Sequence, residues 1–164
     1  LVHATMIIAV DLFDHKLEQA RQVGATHLIN ARQQDPLEAI LKITCGRGVD
    51  YAIESAGRSE TMETAFQAVC SSHGLCILAG NLAQGERISL NPFDLIAGKR
   101  IVGSWGGESC PDRDIPRYVD LYMAGKFRLD RLITHIYYLR DINQALSDLE
   151  RGKVGRALVE MHPT

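Results

Sequence analysis

Met6-Ile7-Ile8-Ala9-Val10-Asp11 is a run of five apolar side chains closed by an acid. It reads as the second strand of a nucleotide-binding βαβ unit, in which the acid follows the glycine-rich phosphate loop by roughly 20 residues. Only ten residues precede Asp11 here, and none is glycine. Leu1-Val2-His3-Ala4-Thr5 then reads as the tail of the helix that follows such a loop. The expectation is a C-terminal part of a longer chain, with the first strand and the glycine loop missing.

The bulk composition narrows the class of partner. With 164 residues, 46% of them hydrophobic and 23% charged, the chain has the make-up of an ordinary water-soluble domain. A net charge of -2 with acids and bases interspersed offers no field for a nucleic-acid backbone or an anionic membrane. No apolar run reaches the length of a membrane span and no signal peptide is visible, so a cytoplasmic location is expected. Cysteines stand at 45, 70, 76 and 110 without a C-x-x-C pair and are read as having no histidine at ligand spacing, so the expectation is no metal ligand in this chain. Cys70 and Cys76 flank a helix-to-strand turn and are expected to behave as small buried apolar groups.

Outward from the first strand, apolar runs alternate with amphipathic helices, the pattern of an α/β fold with a parallel sheet covered on both faces. Leu17, Ala20 and Val23 form a helical stripe that stops at Gly24, and His27–Asn30 is a second strand. Asp35-Pro36 opens a helix with Leu37, Ile40 and Leu41 on one face, and Val49–Glu54 is a third strand. Ser59 is placed to cap a helix with Met62, Ala65, Phe66 and Val69 on its buried face. Leu75–Ala79 and Arg100–Ser104 are the fourth and fifth strands, joined through Ile88, Asn91-Pro92 and Gly98. Beyond Trp105-Gly106-Gly107 a helix from about Arg113 is expected to bury Ile115, Val119 and Tyr122. A last helix over about 141–150 carries Ile142, Ala145, Leu146 and Leu149, Gly152 stops it, and Ala157–Met161 is a final strand.

Asp11, a short acid at a strand's C-terminal edge, can accept hydrogen bonds from the two hydroxyls of an adenosine ribose. A 2′-phosphate on that ribose would meet a like charge at roughly 4 Å, which at an effective dielectric of about 20 costs about 4 kcal/mol, or about three decades in affinity. NAD is therefore expected over NADP. Lys16, five residues on, is within reach of the same ribose, although a solvated helix lysine is the commoner role for such a residue. Gly46-Arg47-Gly48-Val49-Asp50-Tyr51 begins like a phosphate loop but ends in tyrosine and precedes a strand, so it aims no helix dipole at a phosphate.

Taken together, I-I-A-V-D with Lys16, A-R-Q-V-G-A-T-H-L-I-N, G-V-D-Y-A-I-E-S-A-G-R, L-N-P-F-D-L-I-A-G-K-R-I-V-G-S, K-F-R-L-D-R-L-I-T-H and G-K-V-G-R resemble the zinc-containing medium-chain alcohol dehydrogenase family. The resemblance covers nearly the whole chain. It implies an incomplete Rossmann-type, doubly wound parallel sheet of order 3-2-1-4-5-6, its first strand and glycine loop missing, and a C-terminal segment returning to a GroES-like catalytic domain. On that basis residues 1–104 are a partial NAD-binding domain, and 105–164 lead back to the absent catalytic one.

Carried over by the resemblance, Asp11 and Lys16 hold the adenosine ribose, and Ala56, Gly57 and Arg58 flank the adenine. Ala79, Gly80 and Asn81 meet the nicotinamide end, Asn81 and Trp105 border the substrate pocket, and Arg156 pairs with the pyrophosphate. The family's two zinc sites have their ligands upstream, so this chain is expected to hold no catalytic residue of its own and to be inactive alone. The implied parent is a homo-oligomer that transfers a hydride between NAD and a small alcohol or aldehyde with zinc assistance. The alternatives are a zinc-free medium-chain reductase of the quinone or enoyl type and a non-catalytic interaction module.

Overall fold

The computed structural model describes residues 4–161. Leu1, Val2 and His3, expected as helix tail, lie outside the described residues, and Ala4 and Thr5 are not helical. The chain divides into two compact units, residues 1–28 with 111–164, and residues 29–110.

Three strand sets occur among the described residues. β1 (Ile8–Asp11) pairs with β2 (His27–Asn30). β3 (Tyr51–Glu54), β4 (Leu75–Leu78) and β5 (Arg100–Gly103) form a parallel sheet in that order, with Tyr51 opposite Leu75 and Leu75 opposite Arg100. Among the described residues β1 pairs with β2 alone and β3 with β4 alone, so each has a single described neighbour.

The third set corrects the expectations. β6 (Ile133–Tyr138) was not read as a strand, and it supplies a partner within this chain for β7 (Arg156–Glu160), the expected final strand. They pair in parallel from Ile133 opposite Arg156 to Tyr138 opposite Glu160, with a register shift between Ile133 and His135.

In the 29–110 unit, α2 (Pro36–Ile43) starts as expected, the Asp35 carboxylate accepting from the Glu38 amide at 2.8 Å with Pro36 in the first turn. α3 (Ser59–Ala68) is capped by the backbone of Arg58, and the Ser59 hydroxyl is not its cap. Met62, Phe66 and Val69 are buried as their spacing predicted, and Phe66, Val69 and Cys76 make the centre of the core, with Val49, Ala52, Leu78, Leu90 and Ile101 around it. Burial at this centre lifts the Cys76 thiol to about 11, so it stays a neutral apolar group. Lys99, before β5, is also buried; its ammonium donates to the Gln67 carbonyl at 2.8 Å and lies 5.6 Å from the Phe66 ring centroid. α4 (Pro92–Ile96) is a single turn that opens on Asn91.

In the other unit, α1 (Asp14–Gln22) ends at Val23 with Gly24 at φ +117°, where any Cβ would be strained. Leu17 buries as expected and Val23 does not. α5 (Pro111–Met123) carries Pro116 in its interior. Ile115, Val119 and Tyr122 were expected to be buried but are 59%, 51% and 41% exposed. Their periodicity made a helix, but among the described residues no element of their own unit buries the stripe. α6 (Ile142–Glu150) buries Ala145 but leaves Leu146 and Leu149 exposed.

Asp148 of α6 is buried and accepts from Gln144 at 2.8 Å and from the Tyr137 hydroxyl at 3.1 Å, with the Lys153 ammonium 3.1 Å from its other oxygen. These bonds, Gln144 first and Lys153 next, hold its carboxyl below the ordinary aspartate value. Because the folded value is depressed, the stabilisation is complete above the unfolded value of about 3.9 and is lost as pH falls through the folded one. Thermal melts from pH 7 to 3 are expected to show an acid decline below about pH 4 that Asp148→Asn flattens; an unchanged decline in the variant contradicts this assignment.

Candidate functional site

The carboxyl ends of parallel strands are where open α/β sheets bind ligands, because loops and helix N-termini converge there. In the 29–110 unit these ends carry Ser55-Ala56-Gly57-Arg58 after β3, Ala79-Gly80-Asn81 after β4 and Ser104-Trp105 after β5.

The first two loops are pressed together. A Cβ on Gly80 would lie 2.3 Å from the Gly57 nitrogen and 2.6 Å from its Cα, and one on Gly57, at φ +73°, would lie 2.5 Å from the Asn81 carbonyl oxygen. Neither position has room for a side chain, and Gly57 also needs the left-handed backbone. The Ala79 and Gly80 amides donate to the Glu54 carbonyl at 2.8 and 3.0 Å, extending the β3–β4 ladder into the loops.

Glu54 is a buried residue of the candidate site that sequence reasoning passed over. It is buried at the end of β3, and its Oε1 accepts from the Ala56 amide at 2.8 Å, the Gly57 amide at 2.9 Å and the Thr61 hydroxyl at 2.7 Å. Among the described residues Oε2 has no hydrogen-bond partner, and it faces Gly80, 2.7 Å from the place of its absent Cβ. One carboxylate thus shapes the loop after β3, holds the start of α3 and reaches the loop after β4. The available signal was an acid in the last strand position before Ser-Ala-Gly, since a buried acid needs several donors.

Arg58 is exposed and lies 3.5 Å from Glu60, and Asn81 is exposed. Trp105 is 86% exposed and precedes a turn in which the Gly107 amide donates to the Ser104 hydroxyl at 3.1 Å. Asn81 and Trp105 follow adjacent strands, and no hydrogen bond joins them among the described residues.

In the other unit, Asp11 ends β1 and its Oδ1 accepts from the Phe13 amide at 3.0 Å, so one oxygen shapes the turn into α1. The Lys16 ammonium lies 5.1 Å from the Phe13 ring centroid. Lys16, Gln19 and Arg131 share a cleft of about 350 Å³ with Gly155, the neighbour of Arg156. A Cβ on Gly155 would lie 3.0 Å from the Gln19 side chain, so the start of β7 is seated on α1. Lys16 and the Arg156 backbone are therefore brought to one side of this unit. Arg156 itself is exposed.

Comparison with known proteins decides the family. The family model described as zinc-binding dehydrogenase matches residues 2–124. The chain belongs to the zinc-binding dehydrogenase family. Alcohol dehydrogenase 6 of Peromyscus maniculatus is 34% identical over 157 residues, which are 95% of this chain and 42% of that protein. The benzyl alcohol dehydrogenase structure from Acinetobacter calcoaceticus is 37% identical with a TM-score of 0.90, over 97% of this chain and 43% of the other. A Sinorhizobium meliloti structure, described as a zinc-binding dehydrogenase and bound to NADP, is 29% identical with a TM-score of 0.84, over 96% of this chain and 46% of the other. The chain spans less than half the length of these relatives. As a zinc-binding dehydrogenase chain it carries the Rossmann-like α/β architecture of their coenzyme-binding part, and no helix among its described residues is long and apolar enough to cross a membrane.

Proposed function

We propose that this chain is the coenzyme-binding part of an NAD-dependent oxidoreductase, which moves a hydride between a small alcohol or aldehyde and the nicotinamide ring. The observation that carries the reading is the cradle at the ends of β3 and β4, where Gly57 and Gly80 leave no room for a Cβ and Glu54 fixes the loop amides. Such a surface lets a flat ligand lie against backbone. Residues 55–58 take the adenine side, and Ala79, Gly80 and Asn81 the nicotinamide side. Asn81 and Trp105 border the substrate. Asp11 offers its second carboxylate oxygen to the adenosine ribose, with Lys16 beside it.

Bound NAD supplies the hydride acceptor, and zinc in the whole enzyme supplies the Lewis acid that makes an alcohol easier to deprotonate. This chain's residues bind and orient the coenzyme. The 164-residue chain alone is accordingly proposed to be inactive.

The test is coenzyme preference in the intact dehydrogenase containing this chain. Asp11→Ser is expected to shift the NAD-to-NADP ratio of kcat/KM by about three decades, the charge penalty derived above. An unchanged ratio overturns the assignment, and a wild type that prefers NADP, which the Sinorhizobium neighbour holds, overturns the NAD reading itself. Arg156→Ala is expected to weaken NAD by about 2 kcal/mol, roughly 30-fold, through loss of a charge-assisted contact to the pyrophosphate. Lysine at 156 should restore part of this, because it offers a point charge in place of a fork. Full NAD affinity in the alanine variant, read by calorimetry, removes Arg156 from the site.

A further inference from the structure

At the opposite end of β3 and β4 from the loops just described, we propose that Asp50, Cys70 and His73 form a binding site for a single divalent cation of the zinc type. The proposal stands independently of the coenzyme reading.

The backbone brings these three residues together with little freedom. Gly48 takes φ +81° and passes so close to the end of α3 that a Cβ on it would lie 2.6 Å from the Ala68 carbonyl oxygen. This is the use of the G-x-G that resembled a phosphate loop. The Val49 amide then donates to Ala68 and the Cys70 amide to Val49, both at 2.9 Å, which fixes Cys70 beside the entry to β3. The chain turns tightly over Cys70-Ser71-Ser72-His73-Gly74, the Gly74 amide donating to the Cys70 carbonyl at 3.1 Å. A Cβ at Gly74 would lie 2.5 Å from that carbonyl oxygen, so the turn closes only around glycine. The Leu75 amide donates to the Asp50 carbonyl at 2.9 Å and locks the two strand entries together.

The result is a thiol, an imidazole nitrogen and a carboxylate oxygen all within 4.8 Å of one another. His73 Nε2 and Asp50 Oδ1 are already 3.3 Å apart. Tetrahedral coordination with bonds of about 2.0–2.3 Å puts ligand atoms about 3.3–3.8 Å apart, so closure needs a movement of roughly 1 Å. Cys70 is buried and fixed, whereas the His73 and Asp50 side chains are 62% and 46% exposed and can supply it. Thiolate with imidazole and carboxylate selects zinc-like ions over magnesium or calcium, and three protein ligands leave the fourth position to water. The proton displaced from the Cys70 thiol goes to solvent. Cys70 and His73 are spaced C-x-x-H, which corrects the reading that no histidine stands at ligand spacing from a cysteine, and Asp50 joins them only through the pairing of β3 with β4.

Arg47 supplies the discriminating control. Its guanidinium now donates to Asp50 Oδ1 at 2.8 Å, so it competes with a cation for the carboxylate.

Cobalt(II) titrated into the chelator-treated 164-residue chain is the probe, with zinc as displacing ion. A saturable thiolate-to-cobalt charge-transfer absorption is expected at one equivalent, lost in Cys70→Ser and weakened at least tenfold in His73→Ala and Asp50→Asn. It should be unchanged in Cys45→Ser and Cys110→Ser and tightened several-fold in Arg47→Ala. No absorption in the wild type, its survival in Cys70→Ser, or wild-type affinity in both His73→Ala and Asp50→Asn overturns the proposal. If circular dichroism shows Cys70→Ser unfolded, the decision rests on His73→Ala and Asp50→Asn.

Discussion

Gly80→Ala is expected to lower the stability of the 29–110 unit by about 3 kcal/mol and to weaken NAD about 100-fold in the intact enzyme. Gly80 is not in the left-handed region, so the effect is steric alone. Its new Cβ would meet Gly57 backbone at 2.3 and 2.6 Å and Glu54 Oε2 at 2.7 Å, and backbone cannot swing aside as the end of a long side chain can. Ordinary contact at about 3.4 Å or more requires the two loops to separate by about 1 Å, a displacement of the size that disables precisely positioned sites. Gly103→Ala is the control: a Cβ there has nothing within 4 Å, so its effect should stay within about 0.5–1 kcal/mol. Denaturant unfolding and calorimetry check both, and a Gly80→Ala as stable and as tight as wild type contradicts the packed-loop description.

Glu54→Ala is the second large effect, at about 3 kcal/mol of stability. It removes the common acceptor of two amides and a hydroxyl at once. Part of the loss is offset by water reaching Ala56 and Thr61, which are exposed, whereas Gly57 is half-buried. Glu54→Gln keeps an acceptor in place of Oε1 and should lose only about 1 kcal/mol, because the oxygen it replaces with an amide nitrogen had no partner. Equal stability of the alanine and glutamine variants in denaturant unfolding would mean that the bonds to Oε1 do not hold the loop.

The elements were legible in sequence wherever local chemistry decides them. Asp35-Pro36 announced α2, Gly24 announced the end of α1, and the apolar run before Asp11 announced β1, because caps, φ preferences and strand edges act within a few residues. The misreadings depend on what lies across the fold. β6 stabilises itself against β7, twenty residues away, and the six side chains of I-T-H-I-Y-Y alternate too weakly to announce it. Ile115, Val119 and Tyr122 have a helical period, and the period cannot say whether anything covers the stripe.

The candidate site divides in the same way. Asp11 could be picked out from its place at a strand end, whereas Gly57 and Gly80 were reached only through the family resemblance. Glu54 escaped because its donors are made by the loop that it folds, and the Asp50, Cys70 and His73 cluster escaped because strand pairing assembles it from distant positions.

The central proposal is that NAD binds against the loops after β3 and β4, and that Asp11 and Arg156 each contact it. Amide hydrogen exchange of the intact dehydrogenase containing this chain, with and without saturating NAD, tests it most directly. The account predicts slowed exchange in residues 55–58 and 79–81 and in the turn after Asp11, with no change in residues 70–74 at the other end of the strands. Protection absent from both loops, or concentrated at residues 70–74, contradicts it.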